Sequence, residues 1–308
     1  MNKSTITKRV KDQAYELGFG GIAIAKAEHM EPEARRLENW LNEGRHGEMN
    51  YLENYFDKRV DPTKLVPNSK SVISLMYNYY TEAEQSDPEA PKLAMYAYGK
   101  DYHKVVKKKL IQLLKWMQDE FGEVAGRCFV DSAPVLERDW AKRSGLGRVG
   151  KHTLLINQKK GSYFFLCEII CDLELDYDHP IKDHCGICTR CIEACPKDAK
   201  SKEGYLLDGS KCISYLTIEL KNEIPTEYTD KMENWMFGCD ICQQVCPWNR
   251  FSTPHDESKF EPKNGLLDMT KRDWEEITEE AFDTIFAGSA VKRTKFSGLK
   301  RNIKFLKD

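Results

Sequence analysis

Apolar side chains recur at Ile6, Val10, Ala14 and Leu17, three to four residues apart, which predicts an amphipathic helix over 4–17. Gly18, Gly20 and Gly21 end that helix, and IAIA at 22–25 reads as a short buried strand. Residues 32–41 return to helical spacing, with Pro32 in the first turn, where its missing N–H costs nothing. SVISLMYNYY at 71–80 is rich in β-branched and aromatic residues and reads as a core strand. A polar, proline-containing loop follows at 81–92. The pattern then predicts a long amphipathic helix over 102–121, with Val106, Leu110, Leu113, Leu114 and Met117 on its inner side. RCFVD at 127–131 reads as a strand and PVLERDWAKRS at 134–144 as a helix. HTLLIN and SYFFLCEIICD, within 152–172, read as two further strands. Strands and helices interleave throughout this region, which predicts a sheet layered with helices.

The texture changes after about residue 175. Residues 180–250 are dense in cysteine and poor in long apolar runs, as in a small unit organised by metal rather than by a core. Residues 256–290 are acidic and helical in pattern. The expected division is therefore 1–175, 176–255 and 256–308. No repeat of solenoid length is present.

Of the 308 residues, 41% are hydrophobic and 31% charged, ordinary for a globular chain and too apolar for wholesale disorder. No apolar run approaches the roughly 20 residues that span a bilayer. The opening MNKSTITKRVKDQAYELGF lacks the apolar core of a secretory signal, so a cytoplasmic protein with no membrane association is expected. In that reducing setting, eleven cysteines point to metal ligation rather than disulfides. The net charge of −2 gives no global attraction to nucleic acid. Locally, 292–308 holds seven Lys or Arg (292, 293, 295, 300, 301, 304, 307) against a single acid, which fits a solvated terminal helix or a patch for anions.

CGICTRCIEACP places cysteines at 185, 188, 191 and 195, followed by Pro196. In such a run the first three thiolates hold one iron–sulfur cluster and the fourth reaches another. Cys212 and GCDICQQVCPWN, with Cys239, Cys242 and Cys246, complete eight ligands. The crossing rule pairs Cys185, Cys188 and Cys191 with Cys246, and Cys195 with Cys212, Cys239 and Cys242. The alternative is two structural zinc sites, each with four cysteines. Zinc, however, favours well-separated CxxC knuckles, whereas successive x2 spacings wrap a cubane corner. Cys128, Cys167 and Cys171 lie in apolar strand patterns and are expected to be core thiols. Two adjacent clusters form a one-electron wire without catalysis of its own, so the large N-terminal region should hold what the wire serves.

SGLGRVG contains G-x-G-x-x-G at Gly145, Gly147 and Gly150, but a dinucleotide fingerprint needs a strand before it and a helix after. Here the order is reversed. What remains is either a flexible loop, flanked by Arg143, Arg148, Lys151 and His152, that admits a bulky or anionic ligand, or a plain turn with Gly145 past the helix end. Asp131, before Ser132, Ala133 and Pro134, fits a helix cap or a proton donor at the mouth of the sheet. His103, in KDYHK, reads as a surface helix residue.

DSAPVLERDWAKRSGLGRVGKHTLLIN, CGICTRCIEACP, CISYLTIE and GCDICQQVCPWN together closely resemble the epoxyqueuosine reductase family, from about residue 5 onward. The resemblance implies an α+β protein: an α/β-layered cobalamin-binding domain related to reductive dehalogenases, a ferredoxin-like domain with two [4Fe-4S] clusters, and a helical C-terminal segment. It implies a two-electron reduction of epoxyqueuosine at the tRNA wobble position, with the epoxide oxygen leaving as water. Electrons would pass singly from an external donor through the clusters to cobalt, towards its nucleophilic Co(I) state. By motif match Asp131 becomes the proton donor, for which a desolvated, apolar setting and a raised pKa are expected. Asn54, Ala94, Asp131, Arg138, Lys151, Leu155 and Leu166 would lie near the cobalamin. Some relatives carry a cysteine near the position of Ala94, and this chain has none there. Lys292, Arg293, Lys295, Lys300 and Arg301 become candidates for gripping the tRNA backbone. A monomer is expected. Two rival readings are a dehalogenase-like reductase of a small molecule, for which the usual twin-arginine export signal is missing, and a non-catalytic two-cluster electron carrier or tRNA-binding adaptor. A mere carrier has no use for the large α/β region.

Overall fold

The computed structural model describes residues 1–263 and 265–307. In chain order the main elements are α1 (Lys3–Glu16), β1 (Gly21–Lys26), α2 (Glu31–Asn42), α3 (Phe56–Val60), β2 (Ser71–Asn78), β3 (Lys92–Leu93), α4 (Tyr102–Phe121), β4 (Gly126–Phe129), α5 (Glu137–Arg143), β5 (Arg148–Val149), β6 (Leu155–Ile156) and β7 (Phe164–Cys171). The cysteine-rich part adds α6 (Arg190–Glu193), α7 (Ile213–Ile218), β8 (Trp235–Phe237) and α8 (Ile241–Gln244). It is followed by α9 (Lys271–Glu275), α10 (Glu279–Ile285) and α11 (Lys295–Phe305). No described helix is long and apolar enough to cross a membrane.

The central sheet has four antiparallel strands in the order β1-β2-β7-β4. Its middle strands are buried on both faces, which is why SVISLMYN and FFLCEIIC are nearly continuous apolar runs. Side-chain alternation divides them. Ile73, Leu75, Cys167 and Ile169 face one way, into a core closed by α1 and α4 through Val10, Ala14, Val106, Leu110, Leu113 and Met117. Val72, Met76 and Ile170 face the other way, where α5 and Trp140 cover them. Each such fully buried aliphatic side chain contributes about 1.5–3 kcal/mol.

Three sequence expectations shorten on folding. The strand expected to reach Asp131 ends at Phe129, because Asp131 takes a left-handed φ of +55° that no ladder tolerates. The helix expected from residue 134 begins at Glu137, after two tight turns closed by Ser132 N→Val130 O and Val135 N→Ala133 O. HTLLIN forms a strand only at Leu155–Ile156, with Asn157 in an isolated bridge to Gly161, since Thr153 has φ +67°. Cys167 and Cys171 are core thiols as expected, with Cys128 half-buried.

β3 joins β8 as a parallel pair and ties the 81–93 loop to the cysteine-rich part. The C-terminal helices are not a loosely solvated appendage. Phe237, Trp274, Phe282, Phe286, Val291, Leu299 and Ile303 share one buried cluster with Leu93 and Ala97 from the N-terminal region.

Candidate active site and cysteine cages

Asp131 is the centre of a three-residue turn, with the Ser132 N–H bonded to the Val130 carbonyl at 2.6 Å. A central residue with positive φ in such a turn is strained, and strain of this kind concentrates at functional positions. The turn lifts the carboxylate into an open cleft, where the side chain is 57% accessible. Three bonds hold it there. The Tyr102 hydroxyl donates to Oδ2 at 2.5 Å, His103 Nε2 lies 3.1 Å from the same oxygen, and the Asp131 N–H donates to Glu137 Oε1.

His103 is held from both sides. Asp101, the N-cap of α4, accepts from the His103 N–H and faces its Nδ1 at 2.8 Å. The imidazole stacks on the Tyr102 ring at 4.1 Å, and Tyr102 in turn stacks on Phe165 at 4.1 Å. Desolvation disfavours the imidazolium, but the carboxylates of Asp101 and Asp131 outweigh it and raise the His103 pKa to about 9. Burial, with the Asp131 charge beside it, also pushes the Tyr102 phenol far up.

This reverses the expectation for Asp131. Desolvation by the cleft walls does act to raise its pKa. Hydrogen bonds from His103 and Tyr102, and the charges of His103 and Arg293, act more strongly the other way and hold the carboxyl below the ordinary aspartate value. The setting is polar, and the proton of the pair rests on His103. The sequence reads His103 as a surface helix residue, whereas the fold sets it beside Asp131. The signal available was Asp101 two residues ahead of it, which as an N-cap turns the first helical turn towards itself.

Behind the turn lies a second feature. Glu168 interrupts the apolar run of β7, is 0% exposed, and among the described residues neither of its carboxylate oxygens is paired to a conventional donor. Its neighbours across the sheet are Ser74 and Phe129, and Glu137 at the start of α5 faces it. Burial raises both carboxyls, with the Asp131 charge adding to the rise of Glu137 and the Glu137 charge to that of Glu168, so the pair holds a proton at neutral pH. The signal of Glu168 in the sequence is a lone acid inside an otherwise apolar strand.

The eight cysteines fall into two sets. Cys185, Cys188, Cys191 and Cys246 line one cavity of about 230 Å³, together with Lys151, His152, His184 and Trp248. Burial pushes the Cys191 thiol up to about 11, against the pull of Lys200, and Cys246, Cys185 and Cys188 add to the rise. In the other set, burial raises Cys239, with Cys212 and Cys242 adding to it. Lys200 loses by desolvation but is held high by Cys242, Cys195 and Cys212 around it. The short helices α6 and α8 pack together, and each runs into a Cys-Pro step at Cys195 and Cys246. Among the described residues no three His, Cys, Asp or Glu side chains are drawn in tightly enough for a single ion. The four cysteines of the first set line one shared cavity instead.

The second set lies towards Asp131. Tyr96 packs edge-on to Tyr102 at 6.0 Å and lies 6.2 Å from Phe237, two residues before Cys239. The first set lies outward, with Ile187 between two of its cysteines fully exposed. A large open groove of about 1440 Å³, between the 80–93 loop and 244–250, lies away from Asp131 and has walls of mixed charge.

Of the residues tied to cobalamin, Leu155 and Leu166 belong to one apolar cluster beside α5. Arg138 Nη1 donates to the Thr153 carbonyl at 2.7 Å, and Lys151 Nζ to the Gly186 carbonyl at 2.8 Å. Ala94 is buried, and Gly238 packs against its Cβ so closely that no side chain fits there. Asn54 is exposed on the segment carrying Tyr51, whose hydroxyl feels the charges of Glu219, Arg293 and Asp131. The glycine-rich loop is a helix-to-strand turn, with Gly145 at φ +80° just past α5.

The basic C-terminal residues divide. Arg301 donates to the carbonyls of Leu216, Leu220 and Asn222, and Lys300 to those of Glu275 and Ile277. These two cations are structural. Arg293 forms a two-pronged pair with Glu219, Lys292 pairs with Asp283, and Lys295 is exposed.

Comparison with known proteins places these features. Residues 59–132 match the family described as Epoxyqueuosine reductase QueG, DUF1730, and residues 184–249 match a 4Fe-4S double cluster binding domain. The epoxyqueuosine reductase of Cellulophaga algicola is 58% identical over 298 residues, covering 97% of each chain. The crystal structure of an epoxyqueuosine reductase with an epoxyqueuosine-modified tRNA-Tyr stem loop superposes with a TM-score of 0.90 at 27% identity, covering 99% of this chain and 81% of that one. A Bacillus subtilis epoxyqueuosine reductase, with its catalytic aspartate loop swung out of the active site, gives 0.87 at 26% identity, covering 99% and 82%. The reductive dehalogenase NpRdhA, at 16% identity and a TM-score of 0.50 over 98% of this chain and 38% of that one, shares the fold alone. With a mixed helix–sheet fold, a double-cluster region and near full-length identity to such relatives, the chain belongs to the epoxyqueuosine reductase family of oxidoreductases.

Proposed function

We propose that the chain reduces epoxyqueuosine to queuosine at the wobble position of tRNA, with Asp131 and His103 delivering a proton to the oxygen as the epoxide opens. The observation that carries this is the Asp101–His103–Asp131 chain of hydrogen bonds, opening on a cleft whose floor leads through Tyr96 to the second cysteine set. Opening an epoxide builds charge on its oxygen, and an acid at hydrogen-bond distance lowers that barrier by about 10²–10⁴-fold in rate. Asp131 rests ionised. The proton passes from His103 Nε2 to Asp131 Oδ2 and on to the substrate oxygen, while the Tyr102 hydroxyl keeps Oδ2 in place. The swung-out aspartate loop of the Bacillus subtilis relative supports a mobile role for the turn around Asp131.

Cys185, Cys188, Cys191 and Cys246 would hold the outer cluster, and Cys195, Cys212, Cys239 and Cys242 the inner one. The fit is good: four free thiols surround one cavity, and no side chain fills it. Leu155, Leu166, Arg138 and Lys151 on one side, and Ala94 and Asn54 on the other, would hold cobalamin, with the buried Ala94 and Leu155 reaching it through backbone. When bound, the clusters supply single electrons and the cobalamin a strongly nucleophilic cobalt, chemistry that no side chain provides. The exposed Ile187 marks where an external electron donor would approach.

The tRNA stem loop in the related complex supports an anticodon loop as substrate. Arg293, which stands close enough to lower the Asp131 pKa, is the cation best placed to meet it, with Lys292 and Lys295 beside it at the surface. The test is an anaerobic assay with cobalamin, a strong reductant and epoxyqueuosine-containing tRNA, read by nucleoside mass analysis. Unchanged epoxyqueuosine with iron and cobalamin loaded would sink the proposal.

A further inference from the structure

His152 lies in the tight connection between β5 and β6, with its ring 2% exposed. The Leu154 N–H donates to Nδ1 at 3.1 Å. That bond requires the lone pair on Nδ1, so in the neutral ring the hydrogen sits on Nε2. Nε2 is buried and has no partner among the described residues. The ring lines the cavity framed by Cys185, Cys188, Cys191 and Cys246. Gly150 makes room for it, since a Cβ there would come within 3.2 Å of His152 Cε1 and press on Ile156.

A buried donor left without an acceptor keeps its whole desolvation penalty, so folded proteins seldom leave one unpaired. Here the cavity that the ring lines is the cage of four thiols. Accepting an N–H bond stabilises a cluster more in its reduced, more negative state and so raises its reduction potential.

We infer that His152 donates its Nε2–H to a sulfur of the cluster held by Cys185, Cys188, Cys191 and Cys246, and that this bond sets the potential at which that outer cluster accepts an electron. This rests on the reading of the cavity as an iron–sulfur site. It makes the GKHT segment a tuning element of the wire, and it gives the glycine-rich loop a reason for its sharp course: it carries a histidine to the cluster.

The test is an EPR-monitored redox titration of the full chain, purified anaerobically, in wild-type form and as His152→Asn and His152→Gln. Asn keeps an acceptor for the Leu154 N–H but cannot reach the Nε2 position, whereas the Gln amide nitrogen can. His152→Asn should weaken reduction of one cluster about tenfold, a fall of ~59 mV for one electron. The other cluster stays unmoved as an internal reference, and His152→Gln recovers most of the loss. Both midpoints unchanged in His152→Asn, with iron content intact, would overturn the role of His152 and leave the cluster reading standing. Wild-type protein that takes up no iron would overturn both. A measurement that leaves His152 in place uses ¹⁵N-histidine label in a His184→Gln background, which removes the other cavity histidine. A nitrogen coupling to the reduced outer cluster supports the bond, and its absence overturns it.

Discussion

The backbone N–H of Asp131 donates to the Glu137 carboxylate at 2.5 Å, and Glu137 stands over the buried, otherwise unpaired carboxyl of Glu168. A strained turn is thus clamped by an acid that is itself held in a proton-sharing pair. The clamp fixes where the Asp131 side chain points without touching the cleft.

Glu137→Ala should release the turn. The expected result is a lower kcat with KM for tRNA little changed, because Asp131 then spends less time aimed into the cleft. Glu137→Gln, which still offers a carbonyl to the Asp131 N–H, should recover much of the activity. Equal losses in both variants would show that the clamp is not the reason.

Asp131→Asn should cut turnover by about 10²–10⁴-fold with iron and cobalamin content unchanged, since the amide can bond to His103 but cannot relay its proton. Nucleoside mass analysis of single-turnover reactions gives the rate. Full turnover would remove Asp131 from the chemistry.

His103 has a folded pKa of about 9, above its ordinary 6.5. Its contribution to stability is therefore fully present below pH 6.5 and is lost as pH rises through about 9. The kcat/KM profile should fall along an alkaline limb near pH 9, where His103 no longer carries a proton. His103→Gln should lower activity and remove that limb.

Glu137 and Glu168 both have raised pKa values, Glu137 to about 8. Groups raised in this way favour the folded state at low pH, and that advantage disappears as pH climbs from the ordinary carboxylate range through about 8. Glu168→Gln should flatten this slope. Its Tm relative to wild type should be higher at pH 8.5 than at pH 5.

Arg301 and Lys295 should separate structure from tRNA contact. Arg301→Ala strands the carbonyls of Leu216, Leu220 and Asn222 and should cost about 1–3 kcal/mol of stability, read as a lower Tm. Lys295→Glu should leave Tm unchanged, weaken tRNA binding and reduce the salt slope of log K by about one.

Much of this protein was legible in its sequence because the relevant signals are local. Periodicity set out α1, α4 and the middle strands, since one turn of helix or one pleat is enough to sort apolar from polar. Cysteine spacing and the two Cys-Pro steps pointed to two sets of four cysteines, because closely spaced thiols wrap one corner while the thiol before each proline reaches across to the other set. The DSAPVLER string marked Asp131.

What the chain alone could not settle was the company each residue keeps. His103 and Asp131 are 28 residues apart and meet only because α4 and β4 pack side by side. Their meeting inverts the protonation expected for Asp131. Arg301 looked like one more surface cation until α11 docked against α7 and turned its guanidinium onto backbone carbonyls. His152 gained its cage from a segment nearly a hundred residues away, at Cys246. Pattern follows from neighbours along the chain. Charge state and hydrogen bonding follow from neighbours in space, and only the folded packing supplies those.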